Sequence, residues 1–296
     1  MRASVALLFM TGLAGSAAAQ DHDALVARGA YLMNGPVACG NCHDTRDETM
    51  APVPGKALAG GFRIFDPIGI DAYAANITPD PDTGIGTWTD EEIIVAIREG
   101  KTPDGRIIFP PMAVPSYNAM SDDDVAAIVA YLRTVPAVHN EVPESTYGIP
   151  QQAMPPAKGD PAPPATDQVA YGGYIVNALA HCMECHTPFT ADGMPDMTRI
   201  GAGGFGIHLG PDAVVMTPNI TPDPETGIGN WSDAEIKTAI TDGIRPGGGK
   251  LAPPMPYGNF ANMTDEDLDA VVAYLRTIPP VENKVERTAF QQQAFP

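Results

Sequence analysis

The chain has 296 residues, with 17 Lys and Arg against 36 Asp and Glu, a formal charge of -19 and a pI near 4.4. That excess of acid excludes a nucleic-acid partner, whose phosphates it would repel. It predicts instead that docking partners present a basic patch and that salt weakens the association. The length is generous for one domain and suits two small ones.

The chain opens Met1-Arg2, runs apolar from Val5 to Leu13 and reaches small residues at Ala17-Ala18-Ala19. A basic start, a short apolar core and an A-x-A site predict a secretory signal peptide over residues 1–19 and export to the periplasm. The apolar run falls short of the ~20 residues that a spanning helix needs. No later stretch is longer, so no membrane span is expected in the mature chain.

Residues Asp23 to Asn34 carry apolar side chains at helical spacing and lead into Cys39-Gly40-Asn41-Cys42-His43. A long loop rich in Gly and Pro follows, without strand alternation. Thr89, before Asp90-Glu91-Glu92, caps a helix with its apolar stripe at Ile93, Ile94 and Ile97. After a Pro110-Pro111-Met112 loop, Ser121 caps a last helix through Ala130-Tyr131-Leu132. Val142 to Thr166 is rich in Pro and Ala and is expected to be an extended, semi-rigid linker.

Then the pattern repeats at a constant offset of 143 residues. A helix over Asp167 to Leu179 leads into Cys182-Met183-Glu184-Cys185-His186, and Ser232 and Thr264 match Thr89 and Ser121. Between Asn76 and Ile93, 14 of 18 positions are identical to their mates. A period this long means tandem domains, not a solenoid. The expected organisation is domain 1 at 20–141, linker 142–166, domain 2 at 167–285 and a polar tail, 286–296, with Gln291-Gln292-Gln293.

All four cysteines lie in two C-x-x-C-H motifs, a haem-attachment signature. Each thiol pair can add to the vinyl groups of one porphyrin, and the following His43 or His186 can ligate the iron. A thioredoxin-like pair would need a strand–helix context that is missing. A zinc site across both pairs would span far more than the ~15–20 residues of ribbon-type sites. Two covalently bound haem c groups are therefore expected, held by Cys39, Cys42, Cys182 and Cys185. A ~35-residue loop is uncommon in a self-supporting core, and it makes sense wrapped round an apolar cofactor.

The second axial ligand must lie downstream. Two methionine pairs recur at the same offset, Met112/Met255 and Met120/Met263. Met120 and Met263 directly precede the helix caps and have little slack. Met112 and Met255, nine residues before those caps, have the reach to cross the distal face and are the expected ligands. The other pair is expected to pack the core. His22, His139, His181 and His208 have no counterparts and are expected to be surface or core residues. Trp88 and Trp231 are expected at the haem edge. Asn76 and Asn219 either hold a turn before Thr-Pro or support the site.

These motifs, with Asn-Ile-Thr-Pro-Asp…Thr-Gly-Ile-Gly-x-Trp and Pro-Pro-Met before the Ala-Tyr-Leu helix, resemble the class I-type cytochrome c domain, present twice. The likeness is closest to cytochrome c subunits of bacterial periplasmic alcohol, aldehyde and gluconate dehydrogenases. The resemblance implies an all-α fold of two tandem cytochrome c domains. It also implies a non-enzymatic protein that passes single electrons from a periplasmic donor, such as a dehydrogenase, to a respiratory acceptor. The alternative is a dihaem peroxidase-like enzyme, which needs one haem with an open distal position.

Overall fold

The computed structural model describes residues 14–66, 69–108, 110–210 and 212–295. The expected signal peptide lies largely outside that range. The first described element, α1 (Ala14–Asn34), carries the chain to the first cysteine motif. The motif forms the single turn α2 (Gly40–His43). Helix α3 (Asp90–Glu99) starts where Thr89 and Glu92 complete a reciprocal capping box and ends on Gly100 in the left-handed conformation. After the turn α4 (Val114–Tyr117), Ser121 caps α5 (Asp122–Leu132) by accepting from Asp124 N–H.

The second half repeats this order. Helix α6 (Gln168–Tyr174) runs into a π-helical turn at Ile175–Leu179 and then α7 (Cys182–His186), the second motif. Helices α8 (Asp233–Asp242) and α10 (Asp265–Leu275) begin at Ser232 and Thr264, with α9 (Tyr257–Phe260) between them. The local cap chemistry that announced these helices is therefore the chemistry that starts them.

The middle loops depart from expectation. In place of irregular chain, the strands β1 (Arg63–Asp66) and β2 (Ile70–Tyr73) form an antiparallel hairpin, and β4 (Gly206–Gly210) pairs with β5 (Ala213–Met216). Within the Pro-rich segment, β3 (Thr146–Tyr147) adds a third strand beside β2. The fold is thus mainly helical with two small sheets, not all-α. Strands of four residues are too short for alternation to stand out, and their pairing is set by distant contacts.

The Pro-rich segment also lies along domain 1: Met154 N–H donates to Glu99 O at 3.0 Å, and Asn118 Nδ2 donates to Pro155 O at 2.9 Å. At the C-terminus the polar tail folds back as α11 (Ala289–Ala294). There the buried Gln291 accepts from Met216 N–H and donates to Met216 O, pairing the free side of β5.

Within each half the first and last helices cross at a glycine. Helix α1 packs on α5 near Gly29, and α6 packs on α10 near Gly172. The halves then meet about a pseudo-twofold axis. Tyr31 Oη donates to Asp267 Oδ2 at 2.5 Å, and its mate Tyr174 donates to Asp124 Oδ2 at 2.7 Å. Each tyrosine oxygen also accepts from a cap N–H of the opposite half, Thr264 and Ser121 respectively. Such i-to-j and j-to-i reciprocity is the signature of an isologous contact, here made within one chain.

Candidate functional site

Each C-x-x-C-H turn presents two thiols and an imidazole from one loop. None of the four cysteines is bridged. Burial pushes Cys39, Cys182 and Cys185 up to about 12 and raises Cys42 as well. A reactive redox cysteine needs a shift in the opposite direction. Among the described residues, no group of three or more His, Cys, Asp and Glu side chains is arranged to hold a metal ion. The zinc reading therefore has no ligand set.

The histidines are oriented from behind. His43 Nδ1 lies 2.8 Å from Ala75 O, and His186 Nδ1 lies 2.8 Å from Pro218 O. A carbonyl only accepts, so Nδ1 carries the proton and Nε2 keeps its lone pair for a metal. Burial lowers both imidazoles from their ordinary value, which keeps them neutral, as ligation requires. The carbonyls come within reach because the backbone passes close to Gly60 and Gly203. A Cβ on Gly60 would stand 2.5 Å from Ala74 O, and one on Gly203 would stand 2.4 Å from the Pro218 carbonyl carbon.

Asn76 and Asn219 follow directly after the residues that supply these carbonyls. Asn76 Oδ1 accepts from Thr78 N–H and Oγ1, while its Nδ2 donates to Thr83 Oγ1 and Val138 O. Asn219 repeats all four bonds with Thr221, Thr226 and Val281. The asparagines thus hold the turn that begins one residue after the carbonyl that orients each histidine. Replacing Asn76 with alanine is expected to cost about 2 kcal/mol through the buried partners it abandons. The check is a lowered denaturation midpoint together with a perturbed His43 resonance; an unchanged His43 signal would detach the turn from the site.

Met112 and Met255 stand at the starts of α4 and α9, half-buried against the apolar core. Met120 is 0 % exposed and Met263 8 %, both in the core beneath the last helices. Trp88 and Trp231 pack on the core edge, and each gives its backbone carbonyl to Arg133 or Arg276. Of the unmatched histidines, His22 is exposed and His139 lies 3.5 Å from Asp80. His208 sits on β4, half-buried. His181 is not a bland surface residue: its ring meets Tyr117 of the other half edge-on at 5.7 Å.

Sequence reasoning missed the two orienting carbonyls, which carry no side-chain signal. It also missed Tyr31, Tyr174, Asp124 and Asp267. Their matched positions at the repeat offset were the available sign.

Two unbridged thiols and one imidazole whose Nδ1 faces a carbonyl, repeated in both halves, are the donor set of a covalently attached haem, not of zinc or a disulfide. The structure therefore defines a two-centre covalent haem carrier. The Cytochrome c family profile matches residues 26–136 and 169–279, and the chain belongs to that family. It is 33 % identical over 296 aligned positions to the cytochrome c subunit of alcohol dehydrogenase (quinone) from Gluconacetobacter polyoxogenes, covering 91 % of this chain and 60 % of the relative. To the fructose dehydrogenase cytochrome subunit of Gluconobacter japonicus it is 32 % identical, covering 88 % of this chain and 54 % of that one. A diheme cytochrome c-type protein of Cereibacter sphaeroides matches at 32 % identity, 82 % of this chain and 83 % of its own length. The chain thus spans only part of the dehydrogenase subunits but most of the dihaem protein. It carries two covalently bound haem c groups and serves electron transfer.

Proposed function

We propose that this chain is a periplasmic cytochrome that takes electrons from a dehydrogenase and hands them singly to a respiratory acceptor. The observation that carries the reading is the symmetry of the two sites: the same thiols, the same neutral histidine and a methionine at the same offset in each half. In this reading haem 1 is held by Cys39, Cys42, His43 and Met112, and haem 2 by Cys182, Cys185, His186 and Met255. The bound haem supplies a one-electron iron couple, and a His/Met pair raises its potential over a bis-His pair. The chain's own part is to hold each imidazole in one tautomer, to exclude water with the wrapped loops and to present a docking face.

The dehydrogenase partner follows from the names of the relatives, which are subunits of alcohol, fructose and gluconate dehydrogenases. The periplasmic location rests on the N-terminal leader pattern. Among the described residues no helix is long and apolar enough to cross a membrane.

The test is spectroscopic and kinetic on the purified holoprotein. Two six-coordinate low-spin haems, each titrating with one electron and neither reacting quickly with peroxide, are expected. A stable high-spin haem that turns over peroxide would replace the carrier with the peroxidase-like alternative. Docking is tested separately by salt. Raising ionic strength from about 0.01 M to about 0.15 M shortens the screening length from about 30 Å to about 8 Å. With a formal charge of -19 on this chain, reduction by a basic partner is expected to slow steeply over that range. A rate independent of salt would point to an apolar interface instead.

A further inference from the structure

The pseudo-twofold contact brings each haem-attachment turn against the methionine loop of the opposite half. Asn41, between the two cysteines of the first motif, donates from Nδ2 to Pro254 O at 3.1 Å. That carbonyl belongs to the peptide unit joining Pro254 to Met255. Within and just beyond the α9 turn that follows this loop, Asn259 Nδ2 and Asn262 Nδ2 donate to Asn34 O at 3.4 Å and 2.9 Å. The stretch from Pro254 through α9, which includes Met255, is therefore held at both ends by domain 1.

The mirror contact differs in chemistry. Glu184, the mate of Asn41, accepts from Ser116 Oγ at 3.0 Å, in the turn that follows Met112. It touches a side chain four residues past the methionine, not the methionine's own peptide unit. Beside it, Tyr117 is 6 % exposed and closes edge-on over His181, with ring planes at 87°. The matched positions are Phe260 and Ala38, so this aromatic pair occurs on one flank only. The two junctions are thus equivalent in place but not in bonding: among the described residues, Asn41 bonds the peptide unit of the methionine, whereas Glu184 bonds a side chain of the following turn.

We propose that Asn41 is a positioning residue for the distal ligand of haem 2, acting across the domain boundary through the Pro254 carbonyl. The inference rests on the reading of Met255 as that ligand. The amide bond restrains the Pro253-Pro254-Met255 segment, so the thioether swings away less often than the loop alone would allow. Because Asn41 sits in the attachment turn of haem 1, the brace also ties the ligand geometry of one centre to the cofactor loop of the other.

The experiment uses the full-length holoprotein with both haems attached, as verified by haem content. Asn41→Ala removes the donor, and Asn41→Asp keeps the shape while turning the donor into an acceptor facing the carbonyl. Imidazole, which competes with a methionine ligand, is titrated against the ferric protein. The two haems are distinguished by their axial-methionine NMR signals, assigned with Met112→Leu and Met255→Leu. In both Asn41 variants, imidazole is expected to bind haem 2 about fivefold more tightly, the factor carried by one net hydrogen bond. Haem 1, though nearer in sequence, is expected to bind it as in the parent. A haem 2 response equal to the parent, or a change confined to haem 1, would overturn the proposal while leaving Met255 as ligand. Retention of the haem 2 methionine signal in Met255→Leu would instead overturn the ligand reading, and the proposal with it.

Discussion

Gly29→Ala and Gly172→Ala are expected to destabilise the protein strongly, although alanine is the better helix former by about 1 kcal/mol. The reason is the crossing of the first and last helices in each domain. A Cβ at position 29 would stand 1.9 Å from Ala127 O and 2.8 Å from Tyr131 Cβ. At position 172 it would stand 1.8 Å from Ala270 O and 2.4 Å from the same carbonyl carbon. The carbonyls are backbone atoms in the middle of α5 and α10, and a Cβ is fixed by its own backbone, so no side-chain rotation relieves the clash. The helices must separate, which opens packing around Ile128 and Val271, and overpacking of this kind costs about 3 kcal/mol. The clash therefore outweighs the propensity gain. Gly258 in α9 is the control: its added Cβ meets nothing within 4 Å, so Gly258→Ala is expected to be neutral or slightly stabilising. Denaturant midpoints measure all three, and a Gly29→Ala midpoint at or above the parent's would show that the crossing is not rigid.

These glycines also mark the limit of what the sequence discloses. Gly29 sits within a helical pattern, where composition alone reads it as a small defect; only the packed partner explains it. Helix starts were legible because their signal is local: Thr89 and Ser232 lie three residues from the glutamates that complete their boxes. The thiols and histidines of both sites were legible for the same reason, each motif fitting within one turn. The hairpins were not, since β1 and β2 have only four residues each. The domain junction was hidden by distance along the chain: Tyr31 and Asp267 are 236 positions apart. Duplication partly compensates, because a residue matched at the repeat offset has two copies of one environment. It helps least where the copies diverge, as Asn41 and Glu184 do, and there only the structure assigns different jobs to equivalent places.

Met112→Leu is expected to remove the distal ligand of haem 1, whereas Met120→Leu is expected to leave it in place. The four methionines fall into two physical classes. Met120 has no exposed surface, and its backbone is fixed on both sides: its N–H donates to Tyr117 O at 3.0 Å, and its carbonyl accepts from Arg98 at 3.3 Å. On the proposed reading such a side chain packs the core, and truncating it to alanine is expected to cost about 2–5 kcal/mol while sparing the haem spectrum. Met112 stands in a loop, half-buried against the core, with Val114 N–H bonded to its carbonyl. Leucine conserves volume, so either exchange is expected to cost under about 1.5 kcal/mol in stability. The two outcomes therefore separate cleanly in the spectrum and not in the melt. Met112→Leu should convert one of the two haems to a site that lacks a thioether ligand and lower its potential, and Met255→Leu should do the same to the other. If Met120→Leu is the variant that changes the spectrum, the distal ligands are the core pair, and the loop methionines become packing. In that event the bond from Asn41 would restrain a loop with no ligand in it, so this experiment decides the distal chemistry of both domains together.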